Sequence, residues 1–244
     1  MARVFITGSA DGLGYLAAKW LVSHGHKVVL HARNAERGRQ ALKRVPGAES
    51  VVIADLSRIE ETKQLAVDVN ALGAFDAVIH NAGVYRAPGK LILAVNTLAP
   101  YILTCLIQKP NRLIYLSSGS HRGGDPGLRK LEVNPEQISY GDSKLHDIIL
   151  SMAVARRWPD VYANALDPGW VPTKMGGPGA PDDLEKGYLT QTWLAVSDDE
   201  SAKVSGRYFF HQKEKHYRPE ADDVKVQEKF LALCERLTDI RFPG

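Results

Sequence analysis

The segment Val4-Phe-Ile-Thr-Gly-Ser-Ala-Asp-Gly-Leu-Gly14 leads a short apolar run straight into a glycine-rich turn, and a helical pattern follows at once. Glycines at such a junction let the backbone turn sharply and approach a pyrophosphate group, while the helix offers free N–H groups and the positive end of its dipole. The glycine spacing differs from the commoner G-x-G-x-x-G pattern, and a plain tight turn would explain an isolated loop equally well. Its place at the first strand–helix junction favours a dinucleotide site formed by Gly8, Ser9, Gly12, Leu13 and Gly14.

The rest of the chain alternates short apolar runs with longer helical patterns, which is typical of a parallel sheet covered by helices on both faces. The runs that predict strands are Val4–Thr7, Lys27–His31, Ser50–Ala54, Asp76–His80, Arg112–Ser117, Val161–Leu166 and Gly206–Phe210. The patterns that predict helices are Leu13–Ser23, Ala35–Val45, Glu60–Leu72, Leu91–Ile107, Tyr140–Trp158, Leu184–Val196 and Val224–Thr238. We therefore expect one α/β domain over residues 1–244, a doubly wound (Rossmann) parallel sheet of about seven strands with ligands at the strands' carboxyl ends.

Composition excludes several classes of protein. The chain has 244 residues, 44% of them hydrophobic and 24% charged, and a net charge of +3. This balance is ordinary for a globular protein and lacks the dense basic stripe that nucleic-acid binding requires. The longest apolar region, Leu91–Ile107, is interrupted by Asn96, Thr97 and Pro100, so we expect no membrane span.

The two cysteines and the amino terminus are informative about the cellular location of the protein. Cys105 and Cys234 lie in apolar, helix-like stretches, which favours buried thiols over a disulfide or a metal pair, and no metal site is expected. The first strand begins almost at Met1, which leaves no room for a signal peptide. The sequence thus predicts a cytoplasmic protein, with a homo-oligomer left open.

The end of the second predicted strand bears on the choice between NAD and NADP. An acidic residue there would accept hydrogen bonds from the ribose hydroxyls, whereas an arginine would pair with a 2′-phosphate. The strand ends in Ala32-Arg33 without a carboxylate, so Arg33 predicts NADP(H). His31 is interpreted as a packing residue. The cations that follow, most of them interpreted as a solvated helix face, are Arg37, Arg39, Lys43 and Arg44.

Polar or small residues also end the third and fourth predicted strands. Asp55, followed by Leu56, stands at the tip of the third strand, where it could also serve only as an N-cap for the next helix. The run Asn81-Ala82-Gly83 ends the fourth strand, where small residues permit a close approach of a ligand. Two irregular stretches, His121–Gln137 and Gly169–Pro181, follow strands on the same side, where loops usually carry binding residues. We expect the substrate loop at about residues 169–190.

Tyr140 and Lys144 stand one turn apart at the start of a predicted helix and so share a face. A free tyrosine has a pKa of about 10, which a neighbouring ammonium would lower by favouring the phenolate. Such a pair suits proton exchange with a substrate, although so short a pattern also fits an exposed amphipathic pair. Ser118 could donate to a substrate carbonyl, or could simply end a strand. Asn96 could be a structural amide or part of a proton path.

Together these residues resemble the short-chain dehydrogenase/reductase family over nearly the whole chain and in the family's order. The matching motifs are Thr7-Gly8-x3-Gly12-x-Gly14, Asp55, Asn81-Ala82-Gly83, Asn96, Ser118, Tyr140-x3-Lys144, Asp167-Pro168-Gly169 and Thr173. The segment between Ser118 and Tyr140 and the ending Ser205–Phe209 with its terminal helix loosely resemble the retinol dehydrogenase and WW-domain oxidoreductase branch.

The resemblance implies roles for particular residues. Tyr140 would be the acid/base and Ser118 would orient the carbonyl, while Lys144 would bind the nicotinamide ribose and lower the Tyr140 pKa. Asn96 would hold a water in a proton relay, and Asp55 would contact the adenine. The wall beside the nicotinamide would be formed by Pro168, Gly169, Val171 and Thr173. The short Asn81–Ser118 segment and the short loop after Gly169 depart from the family, so substrate identity and oligomer contacts are not carried over.

The leading interpretation is an NADP(H)-dependent oxidoreductase that acts on a carbonyl or alcohol substrate. A nonenzymatic NADP(H) sensor on the same fold is the first alternative, although it would have no reason to keep Tyr140, Lys144 and Ser118 together. A nucleotide-sugar epimerase or dehydratase is the second, although it would normally have a longer region after Asp167.

Overall fold

The computed structural model describes residues 1–244. Eight strands form one sheet: β1 (Arg3–Ile6), β2 (Lys27–Ala32), β3 (Ser50–Ile53), β4 (Ala77–His80), β5 (Arg112–Leu116), β6 (Tyr162–Asp167), β7 (Arg207–Phe210) and β8 (Lys213–Glu214). Nine α-helices accompany them: α1 (Gly12–Ser23), α2 (Ala35–Arg44), α3 (Ile59–Ala71), α4 (Gly89–Ile92), α5 (Ala99–Leu106), α6 (Arg129–Val133), α7 (Tyr140–Arg157), α8 (Leu184–Val196) and α9 (Val224–Thr238).

The strand order is β3-β2-β1-β4-β5-β6-β7-β8, and every pair is parallel except the antiparallel pair β7–β8. The predicted doubly wound architecture is therefore confirmed, while the expected count of strands was one short. The chain leaves β1 in one direction to form β2 and β3 and returns to place β4 on its other side. That reversal opens a crevice at the carboxyl ends of β1 and β4, where ligands of such sheets bind.

The central strands of the sheet are buried on both faces because they are apolar at successive positions, whereas β3 at one edge is mostly half-buried and β8 at the other is exposed. Side chains alternate along a strand, so Phe5 points into one hydrophobic cluster and its neighbours Val4 and Ile6 point into another. The first cluster, of 42 buried residues, includes side chains of α3, α5, α7 and α9, and the second, of 19, includes side chains of α1, α2 and α8. Continuous apolar strands therefore indicated the covering helices correctly.

Helix α7 is fixed at its first residue by a capping box. Ser139 Oγ accepts from Asp142 N at 3.1 Å, and Asp142 Oδ2 accepts from Ser139 N at 2.9 Å. These bonds satisfy two backbone donors that a helix start would otherwise leave unpaired. Tyr140 is thereby held as the first residue of the helix, at the edge of the sheet where the crevice opens.

The segment Gly89–Leu106 is helical throughout, but its middle part, Leu93–Leu98, is π-helical. Ala99 N donates to Ala94 O, five residues back. Pro100 has no N–H to give to the carbonyl of Asn96, as an α-helix would require, so the wider turn has a local cause. By length and composition alone this segment could span a membrane, but 67% of it is buried inside the fold, as in a core helix.

Both cysteines are free thiols. Cys234 is buried, as expected, whereas Cys105 is only half-buried. The structure contains no cluster of potential metal ligands. The stretch between Ser118 and Tyr140, predicted only as irregular, contains the short helical turns Gly119–Gly123, Arg129–Val133 and Pro135–Gln137.

Candidate active site

The glycine-rich loop has the geometry that a pyrophosphate-binding turn needs. Gly8 and Gly12 have φ of +65° and +56°, a backbone region that favours glycine, and a Cβ on Gly12 would meet nothing within 4 Å. Gly14 instead allows close packing, because its Cβ would lie 2.3 Å from Asn81 Nδ2. An open backbone face at the start of α1, with free helical N–H groups behind it, fits a dinucleotide phosphate.

His31 ties this loop to the sheet. Gly8 N donates to His31 Nδ1 at 2.9 Å, and His31 Nε2 lies 3.0 Å from Ala54 O. Both contacts are satisfied by a neutral ring that carries its hydrogen on Nε2. Burial lowers the pKa of His31 to about 4, so the neutral ring persists at neutral pH. His31 is thus a structural residue, as interpreted from the sequence, and it also fixes the loop.

The nucleotide end of the cleft carries two arginines rather than one. Arg33, at the end of β2, is exposed, lines the cleft and forms no ion pair. Arg37, on α2, also lines it, and its Nη2 lies 3.5 Å from Asp11 Oδ2. Of the four cations that follow Arg33, Arg37 is the one that lines the cleft, because the first turn of α2 faces the glycine-rich loop. Arg44 also reaches Asp11, at 3.7 Å.

Asp55 lines the cleft but does not cap the following helix. Its Oδ1 accepts from Ser57 N at 3.0 Å and from Ser57 Oγ at 2.8 Å, whereas the N-cap of α3 is Arg58, without a side-chain bond. Burial raises the pKa of this carboxyl, but the Ser57 bonds outweigh that effect and leave it below its usual value. The carboxylate therefore stays charged and can still accept bonds at its second oxygen.

Asn81 and Ala82 hold the end of β4 against the loop. Asn81 Nδ2 donates to Thr7 O at 2.9 Å, and Ala82 N donates to Thr7 Oγ1 at 3.0 Å. Gly83 follows, and a Cβ there would lie 3.7 Å from Lys144 Nζ and 3.6 Å from Asn96 Oδ1. The end of β4 therefore connects the glycine-rich loop to the part of the cleft that contains Tyr140 and Lys144.

The cleft has a volume of about 440 Å³ and is lined by most of the predicted residues. Those that line it are Gly8, Gly12, Leu13, Arg33, Asp55, Leu56, Asn81, Ala82, Gly83, Tyr140, Lys144, Pro168 and Thr173. The predicted residues that lie outside its lining are Ser9, Gly14, Asn96, Ser118, Gly169 and Val171. Ser9 and Gly14 lie behind the loop, since Ser9 Oγ donates to Ile6 O and Gly14 packs on Asn81.

Tyr140 and Lys144 meet at the floor of the cleft, as their spacing predicted. Lys144 Nζ lies 5.5 Å from the centre of the Tyr140 ring. Tyr85 packs edge-on against the same ring, with 4.9 Å between ring centres. The alternative of an exposed amphipathic pair is excluded for Lys144, whose side chain is 6% exposed.

The Lys144 ammonium is held by two acceptors. It donates to Leu116 O at 2.6 Å and to Asp147 Oδ2 at 2.9 Å. Burial lowers the pKa of Lys144, but the charge of Asp147 and the neighbouring Tyr140 outweigh it and raise the pKa above its usual value. The lysine is therefore a lasting positive charge beside Tyr140. Asp147 was not among the predicted residues, although its i+3 spacing from Lys144 is a local signal.

Ser117 and Ser118 point to different surroundings. Ser117 is buried and its Oγ donates to Lys144 O at 2.6 Å. Ser118 is half-buried, and its Oγ accepts from the nearby Ser120 N at 3.2 Å and donates to Ser120 Oγ at 3.4 Å. Although Ser117 rather than Ser118 contributes to the cleft lining, its hydroxyl is committed to helix α7. The Ser118 hydroxyl, which bonds only to the exposed Ser120, is therefore the more available of the two.

We expect Ser118→Ala to lower turnover with little loss of stability, and Ser117→Ala to do the reverse. Losing the Ser117 bond should cost about 1 kcal/mol of unfolding free energy, because a typical buried hydrogen bond contributes that much. Turnover and thermal unfolding of both variants check this. A larger loss of turnover at Ser117 would reverse the assignment.

Asn96 lies in the π-helical turn, and its amide is fully engaged. Its Oδ1 accepts from Val84 N at 2.8 Å, and its Nδ2 donates to Val84 O at 3.0 Å and to Ser143 Oγ at 3.1 Å. The side chain therefore fixes the loop after β4 against helix α7. Its role in a proton relay stays a prediction, and the backbone carbonyl freed by Pro100 is the atom that could serve it.

The loop after β6 forms the outer wall of the cleft through Pro168, Thr173 and Met175. Trp170 Nε1 donates to Gly176 O at 2.8 Å, which folds the loop on itself, while 60% of the Trp170 surface stays exposed. Gly169 has φ of +85°, and its Cβ would lie 2.8 Å from Asp182 Oδ2. Gly169 thus shapes the loop from behind the cleft.

The fold and the cleft define a dinucleotide-binding α/β protein with a Tyr–Lys pair in its ligand crevice, and the comparisons with known proteins give the family. The short chain dehydrogenase model matches residues 2–99. An uncharacterized oxidoreductase of Emericella nidulans is 46% identical over 100% of both chains, and a short-chain dehydrogenase of Penicillium rubens is 40% identical over 100% of both. The chain belongs to the short-chain dehydrogenase/reductase family.

More distant relatives agree with this membership. Retinol dehydrogenase 13 of Homo sapiens is 28% identical, over 99% of this chain and 86% of that protein, as the looser resemblance suggested. A solved structure of an uncharacterized protein from Mycobacterium paratuberculosis matches with a TM-score of 0.84 and 24% identity over 100% of this chain and 96% of that one. A short chain dehydrogenase of Shigella flexneri, complexed with NADP, matches with a TM-score of 0.69 and 23% identity over 87% and 97%. These structural likenesses show the fold.

Proposed function

We propose that the protein is an NADP(H)-dependent oxidoreductase that transfers a hydride between the nicotinamide and a carbonyl or alcohol substrate. The observation that carries the proposal is the buried Lys144 ammonium, 5.5 Å from the centre of the Tyr140 ring, in a cleft that begins at the glycine-rich loop. A sensor would need the loop but would gain nothing from a desolvated cation beside a tyrosine, because such a cation is costly to bury.

Each residue of the reacting end has a part in this chemistry. The bound cofactor would supply or accept the hydride. In the reductive direction Tyr140 would give its hydroxyl proton to the substrate oxygen, and Lys144 would favour the phenolate that this leaves. Ser118 would donate to the same oxygen and orient the carbonyl.

The cleft wall near Tyr140 supports an apolar substrate. Val84, Leu91, Val95 and Met175 line it, and none of them can hydrogen-bond through a polar side-chain group. A screen for turnover should therefore favour ketones and aldehydes with apolar substituents. Consumption of NADPH, followed by its absorbance, tests the proposal. Tight NADPH binding without turnover on any carbonyl compound or alcohol would favour the sensor.

Positive charge at the nucleotide end of the cleft supports the proposal of NADP(H) rather than NAD(H) as the cofactor. Arg33 has no ion-pair partner, and Arg37 stands beside it, so two guanidinium groups are available to a 2′-phosphate. Asp11 is 3.5 Å from Arg37, which offsets part of that charge. The NADP in the complex of the Shigella flexneri relative agrees with this choice.

We expect Arg33→Ala to weaken NADPH binding by about 10- to 100-fold, because a hydrogen bond between charged groups contributes roughly 1.5–3 kcal/mol. NADH binding should be almost unchanged, since its ribose carries no phosphate. Ala32→Asp should go further by adding an acceptor for the ribose hydroxyls and repelling the phosphate.

Dissociation constants for both cofactors, at one ionic strength, check this prediction. Arg39→Ala is the matched control, because Arg39 lies nearby on α2, is exposed and does not line the cleft. Equal parental affinities for NADPH and NADH, or an Arg33→Ala variant that loses both cofactors alike, would contradict it.

A further inference from the structure

A buried carboxylate lies directly behind the Lys144 ammonium. Asp147, one turn further along α7, places Oδ2 at 2.9 Å from Lys144 Nζ, and only 4% of its side chain is exposed. The Asp147 carboxylate has no other hydrogen bond or ion pair in the structure. Burying a charged carboxylate costs free energy that one ion pair often does not recover. Stability alone therefore does not explain this pair.

The ammonium has three N–H donors, and two are already used. One goes to Leu116 O and one to Asp147 Oδ2, which leaves a single donor. The Lys144 Nζ faces the end of β4, where Gly83 leaves the space that a side chain would fill. Lysine chains are flexible, so these two acceptors are what keep the charge at one point of the cleft.

The titratable groups around the Lys144–Asp147 pair come from strands β4, β5 and β6. Tyr115 of β5 faces Asp147, and its ring stacks on His80 of β4. Asp167 of β6 acts on Lys144 as a second, more distant negative charge. Tyr115 and His80 are both kept neutral, because burial raises the pKa of Tyr115 and lowers that of His80 to about 3. Lys144 is therefore the only cation that faces Asp147.

Tyr140 has its own titratable neighbours besides Lys144. Tyr85 packs on its ring, and the buried Tyr208 of β7 interacts with it electrostatically. Burial raises the pKa of Tyr208, so that side chain stays neutral over the working range of pH. The charges that Tyr140 meets are thus those of Lys144 and of the carboxylates behind it.

We propose that Asp147 is a positioning residue for Lys144: it holds the ammonium in the cleft and offsets its charge, and so sets the pH range in which Tyr140 exchanges its proton. This inference rests on the proposed function of the same site. The Asp147 carboxylate has two opposite effects. It anchors the Lys144 ammonium in the site, and it weakens the influence of that ammonium on Tyr140.

The change in the proton equilibrium of Tyr140 on removal of the Asp147 charge can be estimated from their separation. Asp147 is seven residues beyond Tyr140 on one helix, so the two are ~10 Å apart along its axis. At an effective dielectric constant of about 20, a unit charge at that distance changes a proton equilibrium by about one pH unit. Asp147→Asn keeps the shape and an acceptor for Lys144 but removes the negative charge.

We therefore expect Asp147→Asn to shift the pH profile of turnover to lower pH by about one unit. The sign follows because a less compensated ammonium favours the Tyr140 phenolate. Asp147→Glu, which restores the charge on a longer side chain, should return the profile toward the parental pH, while displacing the ammonium and weakening NADPH binding several-fold. Glu228→Gln is the matched control, since it removes one negative charge that is paired with arginines at the far end of α7.

The outcomes separate this inference from the proposed function. Tyr140 can be titrated without substrate, as the difference in phenolate absorbance between each protein and its Tyr140→Phe derivative. A shift to lower pH in this titration for Asp147→Asn, absent in Glu228→Gln, supports the inference even if no carbonyl substrate is found. An unchanged titration with only a lower unfolding temperature, or a shift to higher pH, would overturn it. Should Asp147→Asn fail to fold, the same titration of Asp147→Glu decides: a shift comparable to the expected one, with charge retained, would contradict the inference.

Discussion

Tyr140→Phe is expected to lower turnover by about 10²–10⁴-fold, the usual contribution of a general acid or base. The hydroxyl is the only group removed, and the ring still packs against Tyr85. Cofactor affinity and unfolding temperature should therefore change little. Steady-state turnover, with NADPH affinity measured by fluorescence, checks the expectation.

Tyr85→Phe provides the matched control for that variant. Tyr85 contacts the same ring, but 44% of it is exposed and it lies outside the cleft lining, so loss of its hydroxyl should leave turnover within a few-fold of the parent. If Tyr140→Phe also stays within a few-fold of the parent, the assignment of Tyr140 as the proton donor is wrong.

Lys144→Met is expected to damage catalysis, cofactor binding and stability together. The substitution removes the charge beside Tyr140 and a donor toward the cofactor, so residual activity should move to higher pH and NADPH should bind more weakly. It also leaves Asp147 buried without a partner. Breaking a buried ion pair from one side costs about 3–5 kcal/mol of unfolding free energy.

The stability of this variant should depend on pH with a definite sign. Burial already raises the pKa of Asp147 from 3.8 to about 6, and losing Lys144 removes the charge that holds it down. A carboxyl whose pKa is raised on folding favours the folded state at low pH, and this contribution is lost as pH rises through the folded value. Lys144→Met should thus lose more stability at pH 8 than at pH 5 relative to the parent.

The double variant Lys144→Met/Asp147→Asn separates folding from function. Removing both charges should restore much of the unfolding free energy, because an uncharged pair no longer leaves a buried carboxylate. Turnover and NADPH affinity should stay low. A double variant that regains cofactor affinity along with stability would show that Lys144 acts only through the fold.

The fold was predictable because seven of the eight strands, β1 to β7, each carry their own signal. β1 and β4 are short runs in which three of the four residues are apolar, and α8 and α9 begin and end where the sequence predicted. β8 has two residues and so no periodicity to detect. The π-helical turn also escaped prediction, although Pro100 was the local signal for it.

The site was predictable where chemistry follows sequence spacing, as for Tyr140 and Lys144. It was less so where a role depends on contacts between distant segments. Arg37 meets Asp11 only because α2 packs beside the glycine-rich loop, and His31 binds Gly8 across two strands. Asp147 belongs to a third kind, since a carboxylate one turn from a lysine is usually a surface pair and only burial gives it meaning.

The central claim, that Tyr140 protonates a substrate oxygen as hydride leaves the nicotinamide, is tested most directly by isotope transfer. NADPH deuterated at C4 would be incubated with a carbonyl compound chosen from the screen, and the alcohol product analysed by mass spectrometry, for the parent and for Tyr140→Phe. The account predicts that the parent places deuterium on the former carbonyl carbon and that the variant forms about 10²–10⁴-fold less of this product in the same time. Bound NADPH that transfers no deuterium to any carbonyl compound in the panel, or equal transfer by the variant, would contradict it.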